Sequence, residues 1–178
     1  TILLGKNYGI AGYNKGFEIA RGDVIIVLDD DSHIEVGTIL RVMDKFLSDQ
    51  DVGVIAFKIV DKGGLRFNTW HIPPDDTYQL SFAFVGCGFA IRKDVFIELG
   101  GFNPKLRSSE DVELGNRISE KYKILVTTSI VGIHDGDDKL IKMLMNFYNR
   151  SRERVSLFIK RKRFNKGYAS WNRGVGCI

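Results

Sequence analysis

"VIIVLDDDSHIEV" spans Val24 to Val36. Val24–Leu28 is apolar and mostly β-branched, so it reads as a strand buried on both faces. The run then meets Asp29, Asp30 and Asp31. Three adjacent carboxylates repel one another and favour water, which makes them an odd end for a buried strand. In open α/β sheets, ligands bind outside the carboxyl ends of the strands. Carboxylates bunched where water is limited either raise one another's pKa or recruit a cation. Hard divalent ions such as Mg²⁺ and Mn²⁺ prefer oxygen ligands. On a continuing strand Asp29 and Asp31 point the same way, while in a tight turn they can converge on one ligand; Asp30 points elsewhere. The plain alternative is an acidic turn closing a strand. A calcium EF-hand is excluded by pattern, since Ile34 occupies the loop position that requires glycine.

Outward from this stretch, strands and helices alternate. "TILLG" is a short strand, and a helix is predicted over about Ala11–Ala20, with Gly22 stopping it as a C-terminal cap. Ile39, Val42, Met43, Phe46 and Leu47 fall at helical spacing. "VGVIAFKIV" is another strand. The glycine-, proline- and acid-rich segment before Gln79 reads as a long loop. "LSFAFVGCGFAIRKDVFIELGGF" reads as a strand, a glycine-interrupted strand and a short helix ending at Gly100–Gly101. A helix with Ser109 as N-cap follows, then "KILVTTSIVGIHD" as a strand pair or one bent strand. The alternation implies an α/β fold whose sheet is mostly parallel, with helices on its faces.

The 178 residues suffice for one sizeable core, and a 44% apolar and 27% charged composition is that of a globular chain. No apolar run approaches the roughly 18–20 residues that span a bilayer. The first residue is Thr1, and no signal-peptide pattern follows it, so the chain reads as a piece of a longer protein or a processed one. Cys87 and Cys177 form neither a disulfide framework nor a Cys-x-x-Cys zinc motif, which fits a reducing, cytoplasmic setting. The net charge of +4 conceals an asymmetry. Residues 139–178 hold eleven Lys/Arg and one acid, a net of +10, leaving −6 for residues 1–138. We read 1–138 as an acidic body and 139–178 as a basic helix and tail.

A second constellation lies in "SSEDVELGNRI", where Glu110 and Asp111 open a helix. Acids there also suit the positive end of the helix dipole, so an ordinary helix start is the plain reading. Gly86 and Gly88, earlier in the chain, sit where a ligand can approach backbone closely. His134 ends an apolar run; it is either a structural histidine or the completion of a carboxylate metal site.

Four stretches in order resemble glycosyltransferase family 2, the inverting enzymes of the GT-A fold. They are "NYGIAGYNKGFEIARGD" with Asn7, Gly9, Asn14 and Gly16, "VIIVLDDDS", "GCGFAIRKDVFIELGGFNP", and "SSEDVELGNRI" with Arg117. The resemblance covers roughly Gly5–Asp138. It implies a mixed, mostly parallel GT-A sheet flanked by helices. It also implies that Asp29 and Asp31 hold a divalent metal, Mn²⁺ or Mg²⁺, on the diphosphate of a nucleotide-sugar, with Asp31 the direct ligand. Asp111 matches the general base, with Glu110 supporting it or touching the acceptor, and His134 matches a metal- or phosphate-binding histidine. Asn7, Gly9, Asn14, Gly88 and Arg117 would line the donor site. The partners implied are a nucleotide-sugar and a glycan or lipid-linked acceptor, in polysaccharide biosynthesis at the cell envelope.

The chain departs from that pattern at its front, where the family's nucleotide-binding strands are absent. The expectation is an incomplete donor pocket, so that this chain in isolation binds nucleotide weakly or not at all. Two other functions compete with sugar transfer: an inactive GT-A-like binding or scaffold domain, and a metal-dependent phosphohydrolase or nucleotidyltransferase. The predicted helix over about Leu140–Lys162 is amphipathic and basic. It either packs on its own domain or lies on anionic lipid, which would place the protein in the cytoplasm at the inner face of a membrane. Nucleic acid is not expected as a partner, because no recognisable binding module is present.

Overall fold

The computed structural model describes residues 4–64, 79–81, 83–106 and 108–135, together with single helical positions at 145, 148, 151 and 155. The elements are α1 (Ile10–Ile19), β1 (Val24–Leu28), β2 (Ser32–Ile34), α2 (Thr38–Ser48), β3 (Val52–Val60), β4 (Gln79–Ser81), β5 (Gly88–Arg92), α3 (Lys93–Glu98), α4 (Glu110–Ile118) and β6 (Lys123–His134). They build one mixed sheet in the order β1-β5-β3-β6-β2, with β4 also paired to β6.

Strand periodicity explains the layering. Alternate side chains of a strand point to opposite faces, so β3 sends Val54 and Ala56 to one face and Ile55, Phe57 and Ile59 to the other. The first face packs against α1, α3 and α4 through Phe17, Phe96, Phe102 and Leu114. Phe17 stacks on Phe96 at 3.6 Å between ring centroids. The second face packs against Val42 and Phe46 of α2. Burying both faces of β3 requires an almost unbroken apolar run, and "VGVIAFKIV" supplies one.

Several expectations are corrected in detail. Among the described strands only β3 and β6 pair in parallel; the other four ladders are antiparallel. The reason is β5, which enters between β1 and β3 running against both. β1 pairs with β5 alone among the described strands, and only Val27 in it is fully buried. Gly22 does not cap α1, because Ala20 already turns extended at φ −59° and ψ 138°. Ser109 occupies the N-cap position of α4, but in the left-handed region at φ 59°, with no capping bond from its side chain. Its hydroxyl is buried with no hydrogen-bond partner among the described residues.

β6 is one bent strand. Ala56 faces Val126 and Lys58 faces Val131, so β6 advances five residues while β3 advances two. This irregularity separates a lower half, paired with β4, from an upper half, Gly132–His134, paired with β2. The strand expected at "TILLG" falls largely outside the described residues, as do the long loop at 65–78 and, apart from its four positions, the basic tail.

Candidate functional site

The carboxyl ends of β1 and β6 and the start of β5 lie at one edge of the sheet. Leu28, the last residue of β1, faces Gly88, the first of β5. Beyond this pair the chain turns on each side, through Asp29 on one and Cys87 on the other. Ser32 of β2 faces His134, the last residue of β6. The Asp135 N–H donates to the Asp31 carbonyl at 2.9 Å, which extends that ladder by one step.

The Ser32 N–H donates to the Asp29 carbonyl at 3.0 Å, so the three aspartates form a tight turn rather than a continuing strand. The turn brings both the first and the third carboxylate to His134. His134 Nε2 lies 3.3 Å from an Asp31 oxygen and 3.9 Å from an Asp29 oxygen. The imidazole is 12% exposed, against 38% and 44% for the two carboxylates. Asp30 faces solvent. The arrangement needs β2, a three-residue strand that no hydrophobic pattern announces.

Two residues join this group without having been singled out from the sequence. The Tyr13 hydroxyl of α1 donates to Asp29 Oδ1 at 3.1 Å. Its pKa is pushed up to about 12, first by burial, then by the charge and hydrogen bond of Asp29, with Glu110 and Asp30 adding to the effect. The phenol therefore stays a donor throughout the neutral range. Cys87 is the other: one ligand atom each from Asp29, Cys87 and His134 lie within 4.8 Å of one another. Two carboxylates and an imidazole form a donor set that suits a divalent ion such as Mn²⁺.

The acidic start of α4 meets the same turn. The Gly86 N–H donates to Asp111 Oδ2 at 3.2 Å. A side chain added at Gly86 would come within 3.8 Å of Asp111 and 3.9 Å of Glu110, so its missing Cβ keeps that approach open. Gly86 and Cys87 are neighbours. The Glu110–Asp111 pair and the Asp29–Asp31–His134 group are therefore tied to adjacent residues of one turn.

The other expected site residues have partners in the fold. Asn7 accepts from the Gly9 N–H at 2.7 Å, and Gly9 precedes α1 at φ 56°. Asn14 grips the Phe102 backbone with its whole amide, accepting from the N–H and donating to the carbonyl, both at 2.9 Å. Arg117 pairs with Glu113 at 2.7 Å and donates to the carbonyls of Leu99 and Gly101. A Cβ on Gly88 would lie 2.6 Å from Ile59 Cδ1, so close packing already accounts for that glycine.

The model of the family described as "Glycosyl transferase family 2" matches residues 2–110, ending one residue short of Asp111. An uncharacterized protein of Haemophilus influenzae is 38% identical over 98 residues, which are 50% of this chain and 53% of that protein. GalNAc-T7, solved with UDP, GalNAc and Mn²⁺, superposes with a TM-score of 0.59 at 20% identity, over 71% of this chain and 30% of its own. The mannosyltransferase PcManGT from Pyrobaculum calidifontis, in complex with GDP-Man and Mn²⁺, gives 0.62 at 18%, over 99% and 49%. S. aureus TarS gives 0.56 at 15%, over 87% and 28%. The chain thus spans about half the length of the curated relative it matches, and half or less of these structures. The structural likenesses establish the GT-A fold, and on the family match the chain belongs to glycosyl transferase family 2.

Proposed function

We propose that the chain carries the catalytic edge of an enzyme that moves a sugar from a nucleotide-diphospho-sugar to a hydroxyl of a glycan or lipid-linked acceptor, with inversion. The observation that carries this reading is the adjacency just described. Asp111 bonds to Gly86, and the next residue, Cys87, borders Asp29 and His134. A leaving-group end and a base end are the two things an inverting displacement needs, and no protein nucleophile is required. Asp29, Asp31 and His134 are the residues that would hold Mn²⁺ or Mg²⁺. Such an ion offsets the negative charge that builds on a departing diphosphate. Relatives of the same fold were solved with UDP or GDP-Man together with Mn²⁺, which supports this donor class.

In this reading Asp111 takes the proton of the acceptor hydroxyl. The Gly86 N–H orients that carboxylate, and Glu110 beside it contacts the acceptor. Tyr13 donates to Asp29 from α1 and keeps it at this edge. The basic tail lies against anionic lipid at the inner face of a membrane and brings the site to a lipid-linked acceptor. No helix among the described residues is long and apolar enough to cross a membrane. Sedimentation with anionic liposomes at low salt, reversed at high salt, is the expected behaviour; no binding at low salt would refute the tail's role.

The decisive experiment uses the intact protein with a panel of UDP- and GDP-sugars and Mn²⁺. It follows transfer and nucleotide release separately. Asp111→Ala should lower transfer by about 10²–10⁴-fold while donor binding persists, and Asp31→Ala should abolish the metal dependence. Hydrolysis of phosphate esters that survives Asp111→Ala, with no transfer by the wild type, would instead favour a phosphohydrolase.

A further inference from the structure

The turn that joins the two halves of the site contains one group that the proposed reaction does not use, the Cys87 thiol. We infer that Cys87 is a ligand of the same metal site, and that its sulfur biases the site toward Co²⁺, Zn²⁺ or Cd²⁺ over Mg²⁺. This rests on the reading that Asp29 and His134 hold a divalent ion.

Three observations support it. The first is distance: the Cys87 sulfur, an Asp29 oxygen and a His134 nitrogen are all within 4.8 Å of one another. Metal–sulfur bonds are about 2.3 Å and metal–nitrogen or –oxygen bonds about 2.0–2.2 Å, so two donors on one tetrahedral ion lie about 3.4–3.6 Å apart. The closure still required is at most about 1.2–1.4 Å for tetrahedral angles. Asp29, with 38% of its side chain exposed, has room to make it.

The second is placement. Cys87 is 6% exposed and packs with Ile55, Phe57 and Ala90, so its direction is fixed by the core. The turn is further pinned by the Gly88 N–H donating to the Val85 carbonyl at 3.4 Å and by the Leu28–Gly88 pairing. The thiol is therefore presented to Asp29 by two strand ends rather than by a mobile loop. The third is chemistry. The three convergent donors are one oxygen, one nitrogen and one sulfur, and Asp31 lies beside them with an oxygen 3.3 Å from His134. Mixed oxygen, nitrogen and sulfur donors suit a tetrahedral borderline ion, whereas Mg²⁺ demands octahedral oxygen and gains nothing from sulfur. Binding forms a metal–sulfur bond, and the thiol proton leaves to solvent.

The alternative role for Cys87 is a small apolar filler beneath the site. Titration of the intact protein with Co²⁺ separates the two. The near-ultraviolet thiolate-to-cobalt charge-transfer band should appear in the wild type and be absent in Cys87→Ser and Cys87→Ala. The visible cobalt bands should persist in both variants, because Asp29, Asp31 and His134 remain. Cd²⁺ affinity should fall by about tenfold or more in Cys87→Ser, with Mg²⁺ affinity unchanged. Visible bands that depend on His134, with no charge-transfer band and unaltered Cd²⁺ affinity in Cys87→Ser, would overturn the inference while leaving the metal site standing. Absence of any cobalt spectrum would overturn the metal site itself, and this inference with it.

Discussion

Replacing Tyr13 with phenylalanine removes one oxygen and leaves the ring packed against the core, where it meets Phe102 edge-on at 6.0 Å. What is lost is the 3.1 Å bond to Asp29. A hydrogen bond to a charged group contributes about 1.5–3 kcal/mol when well shielded. Both partners here are partly exposed, so about 1 kcal/mol is the expected loss at pH 8. The pH dependence is the sharper test. The folded pKa of about 12 stands above the unfolded value of about 10. Between these values the folded protein holds a proton that the unfolded chain has released, so this contribution is complete below pH 10 and fades as pH rises toward 12. In full that displacement corresponds to about 2.7 kcal/mol, and screening of a half-buried group by water reduces it to about 1 kcal/mol. Urea denaturation of both proteins from pH 8 to 12 gives the measurement. The stability gap between wild type and Tyr13→Phe should close as pH rises, while titrations common to both cancel. A gap that is constant across that range would refute the assigned cause.

Three further outcomes follow from the same geometry. Gly88→Ala drives a methyl into the fully buried Ile59 and should destabilise by about 1–3 kcal/mol through overpacking, read as a lower urea midpoint with an unchanged m-value. Ser109→Gly relieves the left-handed φ of 59° and should raise stability by about 0.5–1 kcal/mol, the glycine's own entropy cost offsetting part of the gain. Arg117→Met strands Glu113 and two backbone carbonyls, and because the pair is partly exposed the expected cost is about 2 kcal/mol. Thermal melting would show that cost, and any donor KM measured on the folded variant should be unchanged if the arginine serves the fold alone.

The sequence made the two acidic centres legible because each carries a local pattern. A β-branched run must be strand, and carboxylates at its end must be explained. The helix and strand positions followed from apolar spacing and agree with the structure to within a residue or two at α1, β1, α2 and β3. Pairing was less legible. "FAIR" in β5 reads the same in either direction, so the antiparallel insertion between β1 and β3 left no trace in composition. Tyr13 and Cys87 were invisible for a related reason. Tyr13 sits on a helix whose apolar face also explains it, and Cys87 looks like any small buried residue. Only the contacts across 16 and 47 residues, to Asp29 and His134, show their second roles. Asn14 and Arg117 show the reverse case: polar side chains that a family pattern assigns to a donor have their bonds filled by the Phe102, Leu99 and Gly101 backbone.

β2 has a consequence for how the protein matures. Asp29 and Asp31 lie about a hundred residues before His134 in the chain, and a three-residue ladder to the last residues of β6 is what unites them. During synthesis the aspartates emerge long before their histidine and remain mutually repelling and solvated until β6 docks. The β3–β6 pairing is parallel and distant in sequence, the kind of contact that forms slowly because loop closure must precede it. If the edge holds the proposed ion, metal capture would belong to the final stage of folding. An ion that binds only the finished edge would draw the equilibrium toward the native state by mass action, and the supply of metal would then become a determinant of how much folded protein accumulates.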